Sequence, residues 1–275
     1  MRLLLSHLTG SQNSRQAARA FLEAGWLAEM HHTLAWTHLP AWAACLPATI
    51  KTQFQGRLFD ADFAPHLRPH PLPEWGRLLA ARTSLPLLSP LLRRVFSIRA
   101  CNRRFDRAVA RHLRRNSRQF DAVYGYFDTS LHQFREAKRR GLRRIYELPT
   151  PYWRMVNRLV QAEAVRRPDW ADTLPSRSSL AEAASQRDEE LQLADLVIVP
   201  SPLLRDSRAE APPFNAPVVV VPYGCPTPAS SISDLPSPIS HLPSSAATPP
   251  LRLLFAGTLS QSKGLADLLA AIAPL

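Results

Sequence analysis

The chain opens on a short apolar run, Leu3-Leu4-Leu5 within Arg2–His7, which reads as a buried strand. A turn-like stretch follows, Leu8-Thr9-Gly10-Ser11-Gln12-Asn13. Ala17, Ala20, Phe21 and Ala24 then recur at helical spacing and predict one apolar helix face. Asn13, with Gln16 three residues on, suits the start of that helix, and Gly25 suits its stop. Leu27–Trp36 reads as a second strand. Strand, loop, helix and strand make a βαβ unit. Prolines interrupt residues 37–92 and no period persists there.

A helix is predicted over about Arg99 to Arg115, with Phe105, Val109 and Leu113 in an i, i+4, i+8 row. Asp121–Tyr126 reads as a strand, Leu131–Arg140 as a helix stopped by Gly141, and Arg143–Leu148 as a strand. Helical stretches follow near Arg154–Arg166 and Ser179–Leu193, then strands at Asp195–Val199 and Val218–Val221. Continuous apolar strands alternating with helices predict an α/β fold, a Rossmann-like parallel sheet covered on both faces. Residues 225–250 hold seven prolines and seven serines and read as an extended linker. Leu251–Ala256 then predicts a fresh strand, followed by a polar loop and a helix from Leu265. The expected organisation is a domain over 1–224, a linker over 225–250, and over 251–275 the first strand, loop and helix of a truncated second Rossmann-like domain.

Composition adds two things. Hydrophobic residues make up 45% of the chain, enough for a packed core. The net charge is +12, and Arg93 to Arg144, with sixteen Lys or Arg against four Asp or Glu, accounts for all of it. An ordinary solvated face and a surface for anionic lipid, nucleotide or nucleic acid both fit that run. Three scattered cysteines, Cys45, Cys101 and Cys225, suggest neither a disulfide framework nor a zinc site, and a reducing compartment fits them. The N-terminal apolar run is too short for a signal peptide, and no segment has the length to span a bilayer. The expected location is therefore cytoplasmic, peripheral to the inner membrane face where the basic helix is used.

Candidate chemistry lies in three loops. Gly257 to Gly264, sequence GTLSQSKG, sits between a predicted strand and helix, where N–H groups and Lys263 attract a phosphate. A plain polar loop with a solvent-facing lysine accounts for it equally well. Thr9 to Asn13 holds the same place in the first domain but lacks the dinucleotide pattern GxGxxG. Asp128 closes the Asp121–Tyr126 strand, where it could meet a sugar hydroxyl, act as a base, or cap the next helix. The histidines predict no metal. His66 and His70 are separated by prolines that forbid one helix face, and His31 and His32 point to opposite faces of a strand.

Taken together these segments resemble glycosyltransferase family 4, nucleotide-sugar enzymes of the GT-B fold. The resemblance is carried by Ala194-Asp195-Leu196-Val197-Ile198-Val199-Pro200-Ser201, Val221-Pro222-Tyr223-Gly224, and Leu254-Phe255-Ala256-Gly257 through Lys263-Gly264 with Leu268. Gly10, Asn13 and Arg15 add to it, as do Tyr126-Phe127-Asp128 with Phe134, Lys138 and Gly141. It implies transfer of a sugar from a nucleotide sugar to an acceptor hydroxyl, with retention, needing no metal and no cofactor beyond that donor. Tyr126 and Asp128 would be catalytic, and Gly10, Asn13 and Arg15 would bind substrate. Gly257, Ser262, Lys263 and Gly264 would bind the donor phosphates. Thr258 and Ser262 stand where relatives carry an arginine, and Tyr126 stands where many carry a histidine. The family's paired donor-binding glutamates lie deeper in the second domain than Leu275, so activity is expected only with that domain completed. A lipid-linked acceptor fits the basic segment Arg99–Arg118 as a contact to anionic membrane. No aromatic platform marks specific nucleic-acid binding. A non-catalytic basic binding module and an inactive truncated product are the other readings.

Overall fold

The computed structural model describes residues 1–38, 55, 57–82, 94–176, 183–224 and 253–273. They fall into two compact units: Met1–Asn157 with Arg177–Pro222, and Arg158–Ser176 with Tyr223–Leu275.

The first unit is built on seven strands: β1 (Leu3–Ser6), β2 (Leu27–His32), β3 (Leu67–Pro69), β4 (Ala122–Tyr126), β5 (Arg143–Glu147), β6 (Leu196–Val199) and β7 (Val218–Val220). Their spatial order is β3-β2-β1-β4-β5-β6-β7, and every pairing is parallel. The chain therefore winds one way from β1 to β3 and the other way from β4 to β7, which is the Rossmann-like arrangement. The connecting helices are α1 (Gln12–Glu23), α2 (Leu72–Arg82), α3 (Ile98–Asn116), α4 (Leu131–Arg139), α5 (Trp153–Arg166), α6 (Ala184–Leu193) and α7 (Pro202–Asp206).

Strand alternation divides the core into two layers. Leu4 and Val123 face one side, with Phe105, Val109 and Leu113 of α3, Phe134 and Ala137 of α4 and Leu191 of α6. Leu3, Leu5, Ala122, Tyr124 and Tyr126 face the other, with Ala18 of α1 and the loop residues Phe59 and Phe63. The predicted row on the basic helix is thus an inward stripe, while Arg103, Arg107, Arg111, Arg114 and Arg118 are exposed.

Several boundaries differ from the sequence reading. The first helix is capped by Ser11, whose Oγ accepts from Ser14 N–H at 3.2 Å, and not by Asn13, which is exposed inside the helix. The second strand ends at His32, because the Thr33 N–H and hydroxyl both turn back to donate to Leu8 O. Val218–Val220 is less buried than a run of valines suggests. It is the sheet edge, and Val219 is 44% exposed. Residues 253–256 form no strand; Leu254 is 94% exposed, and no strand among the described residues pairs with it. The linker over 225–250 lies outside the described residues, as do Cys45 and Cys225. Cys101 is a free, buried thiol.

The second unit is a small assembly around α8 (Leu265–Ile272). Asp267, in the first turn of α8, accepts from Arg166 at 2.6 and 2.9 Å and from Arg167 at 2.7 Å. Gln261 bridges Glu163 and Asp267 through its amide nitrogen. The ordering of this short segment rests on polar contacts to residues 158–176 more than on a core of its own. No helix among the described residues is long and apolar enough to cross a membrane.

Candidate functional site

The switch point of the sheet lies between β1 and β4, where open parallel sheets leave a crevice at the carboxyl ends of the strands. Four groups meet there. His7 follows β1 directly, and its Nδ1 accepts from Gly10 N–H at 2.8 Å. Tyr126 ends β4 and meets the His7 ring edge to face, with centroids 4.5 Å apart. Gly10 has φ 66°, and a Cβ there would stand 2.4 Å from Cε1 of the His32 ring. Only glycine fits that left-handed turn flat on the imidazole. His32 itself is wholly buried, and neither ring nitrogen has a hydrogen-bond partner among the described residues.

The protonation of this rim follows from its burial. Desolvation pushes the His7 imidazole down to about 4, so it is neutral near pH 7. Because Nδ1 already accepts from Gly10, the ring proton sits on Nε2, and His7 serves as a hydrogen-bond donor there. His32 is pushed well below its usual range, also by burial.

Arg15 braces the loop from below. Its Nε donates to Gly10 O at 3.2 Å and its Nη1 to Leu58 O at 2.7 Å, with the guanidinium 4.5 Å over the Phe59 ring. Asn13 stands apart, exposed in the first turn of α1.

Asp128 adopts φ 66°, unusual for a residue with a side chain. It is not the cap of α4, which begins after Ser130. Its carboxylate pairs bidentately with Arg187, at 2.6 and 2.8 Å. Its N–H donates to Glu190 Oε2 at 2.9 Å, and its carbonyl accepts from Gln186 at 3.0 Å. Glu190 is fully buried and also accepts from Ser130 N–H, Leu131 N–H and the Tyr146 hydroxyl. Residues 128–131 are therefore clamped by one face of α6, and both Asp128 oxygens are engaged; each keeps a lone pair for a further donor. Burial raises the Glu190 carboxyl to about 7.

The other predicted group, Gly257 to Gly264, belongs to the second unit. Ser262 and Lys263 are exposed, and Gly264 takes the left-handed conformation at φ 70° before α8. The start of α8 is partly satisfied from within, since Gln261 Oε1 accepts from Ala266 N–H at 2.8 Å.

Sequence reasoning passed over His7, Arg187 and Glu190, and weighed His32 only as a metal ligand. His7 was legible as the residue after β1 and three before the turn glycine. Arg187 and Glu190 lie on α6, some sixty residues from the loop they hold, and nothing local marks them.

No family model and no curated protein matches the chain. Among solved structures it is similar to a UDP-glucosyltransferase from Polygonum tinctorium capable of glucosylating indoxyl, in complex with 3,4-dichloroaniline, at 12% identity with a TM-score of 0.37. The match covers 82% of this chain and 52% of that one, so the chain spans about half the length of that protein. The fold class rests on the strand order and parallel pairing: this is a Rossmann-like α/β protein.

Proposed function

We propose that the first unit is the acceptor-side half of a GT-B glycosyltransferase, of the family 4 kind, acting with a nucleotide-sugar donor. The observation that carries this reading is the gathering of His7, Gly10 and Tyr126 at the sheet's switch point, with the clamped Asp128 turn directly after β4. That rim offers a neutral imidazole donor and a carboxylate to the hydroxyls of a sugar, while the Tyr126 side chain is buried and packs against the His7 ring. Asp128 is the ordering group, oriented by Arg187 and by the backbone grip of Glu190. Arg15 acts on the Gly10 turn. In this reading Gly257, Ser262, Lys263 and Gly264 contact the donor diphosphate. The exposed arginines of α3 favour an acceptor carried on an anionic membrane.

The test is nucleoside diphosphate release from a panel of nucleotide sugars, using the protein in the longest form its gene encodes, with lipid-linked and soluble acceptors. One donor should turn over well above the enzyme-free rate. Tyr126→Phe and Asp128→Asn should each slow it about tenfold, equivalent to about 1.4 kcal/mol. Asparagine tolerates the left-handed backbone at that position, so the second variant keeps the turn. Absence of release with every donor, or wild-type rates in both variants, would overturn the reading.

A further inference from the structure

A second cluster of titratable side chains lies away from the rim, on the α3 face of β2. Strand alternation sends Glu29 and His31 to the same side, and α3 lays His112 over them. One ligand atom from each of the three lies within 4.8 Å of the others. His31 Nε2 is 3.0 Å and His112 Nε2 2.7 Å from Glu29 Oε2. The His112 contact is close but does not satisfy it: its Nε2 is buried and, among the described residues, makes no hydrogen bond of acceptable direction. A nitrogen converging on a carboxylate oxygen without donating to it is an unsatisfied polar atom aimed into the cluster.

We infer that Glu29, His31 and His112 form a binding site for a divalent transition-metal cation, zinc by its donor set. Two imidazole nitrogens and one carboxylate oxygen are the borderline-soft ligands that zinc takes, with a water completing the tetrahedron. Bonds of about 2.0–2.1 Å place tetrahedral ligands about 3.3 Å apart, so the His31–Glu29 edge opens by about 0.3 Å and the His112–Glu29 edge by about 0.6 Å. The surroundings hold the ligands in place. His31 Nδ1 lies 2.9 Å from His70 Nε2, which can accept its proton once Nε2 is on the metal. Arg68 Nε donates to Glu29 Oε1 at 3.0 Å, leaving Oε2 for the cation. That guanidinium also opposes a second positive charge and moderates affinity. His31 is closed to solvent, whereas His112 is 25% exposed and gives the ion a way in. Bound there, the metal ties β2 to α3, apart from the sugar-facing rim and independent of its chemistry.

The experiment titrates the metal-free protein with cobalt(II), read by its visible ligand-field bands, and with zinc, read by calorimetry and melting temperature. One equivalent should bind, with the band intensity of a four- or five-coordinate ion and an upward shift in melting temperature. His112→Ala, at a partly exposed helix position, should abolish both. His70→Phe should weaken binding about tenfold to a hundredfold, as loss of an outer partner does. Far-UV circular dichroism checks that each variant is folded. Absence of cobalt bands in the wild type overturns the site, as does undiminished binding in folded His112→Ala. In either case the three side chains are a packed polar cluster without a metal.

Discussion

Replacing Gly125 by alanine probes how tightly α4 must lie on the central strand. The new Cβ would stand 2.3 Å from Ser130 Oγ, 3.1 Å from Ser130 Cβ and 3.2 Å from Phe134 Cε1. The Phe134 ring is wholly buried, so it has no free volume to move into. Ser130 Oγ donates to Tyr126 O at 2.6 Å, and relieving the clash breaks that bond. Overpacking of this kind costs about 1–3 kcal/mol, and the lost hydrogen bond about 1 kcal/mol more. Alanine returns about 0.5–1 kcal/mol by restricting the unfolded chain. The net loss is about 1–3 kcal/mol, enough to lower a urea midpoint by about 1 M at a usual slope. Ser130→Gly removes the two closest contacts, so in the double variant the costs should be less than additive, with a coupling of about 1 kcal/mol. An unchanged midpoint in Gly125→Ala, or strict additivity in the cycle, would refute the packing argument.

Asp106 tests burial against pH. It accepts from His132 and Gln133 N–H at 2.7 and 2.9 Å, yet desolvation raises it from 3.8 to about 8. A raised carboxyl contributes stability that is complete below about pH 4 and is lost as pH climbs through about 8, at up to about 1.4 kcal/mol per pH unit. The stability difference between wild type and Asp106→Asn should therefore shrink from pH 5 to pH 8.5; parallel profiles would contradict the assignment. The basic face of α3 should bind vesicles containing anionic lipid in a salt-dependent way, each arginine adding about 1 kcal/mol. Replacing Arg107, Arg111 and Arg114 together with glutamine should release the protein in a co-sedimentation assay. Binding that ignores lipid charge, or survives that replacement, would refute a membrane role for this face.

Local pattern alone determined most of the first unit. Phe105, Val109 and Leu113 recur at helical spacing because one side of α3 must meet the sheet, and they are the buried stripe. Gly25 and Gly141 ended helices because each adopts positive φ, which the residue type itself permits. The adjacency of His31 and His32 on a strand was enough to send them to opposite faces. The order of the strands was not legible. Nor was β3, hidden in the proline-broken stretch, nor the exposure of Val219 at the sheet edge, since burial depends on which strand lies alongside. The site divides in the same way. Gly10, Tyr126 and Asp128 were visible as residues at strand ends. The pairing of Asp128 with Arg187, the grip of Glu190 and the convergence of Glu29, His31 and His112 join positions far apart in the chain. Hydrogen bonds and charge pairs of that kind act over a few ångströms of space whatever the sequence separation, so only the folded sheet, by bringing distant elements together, could decide them.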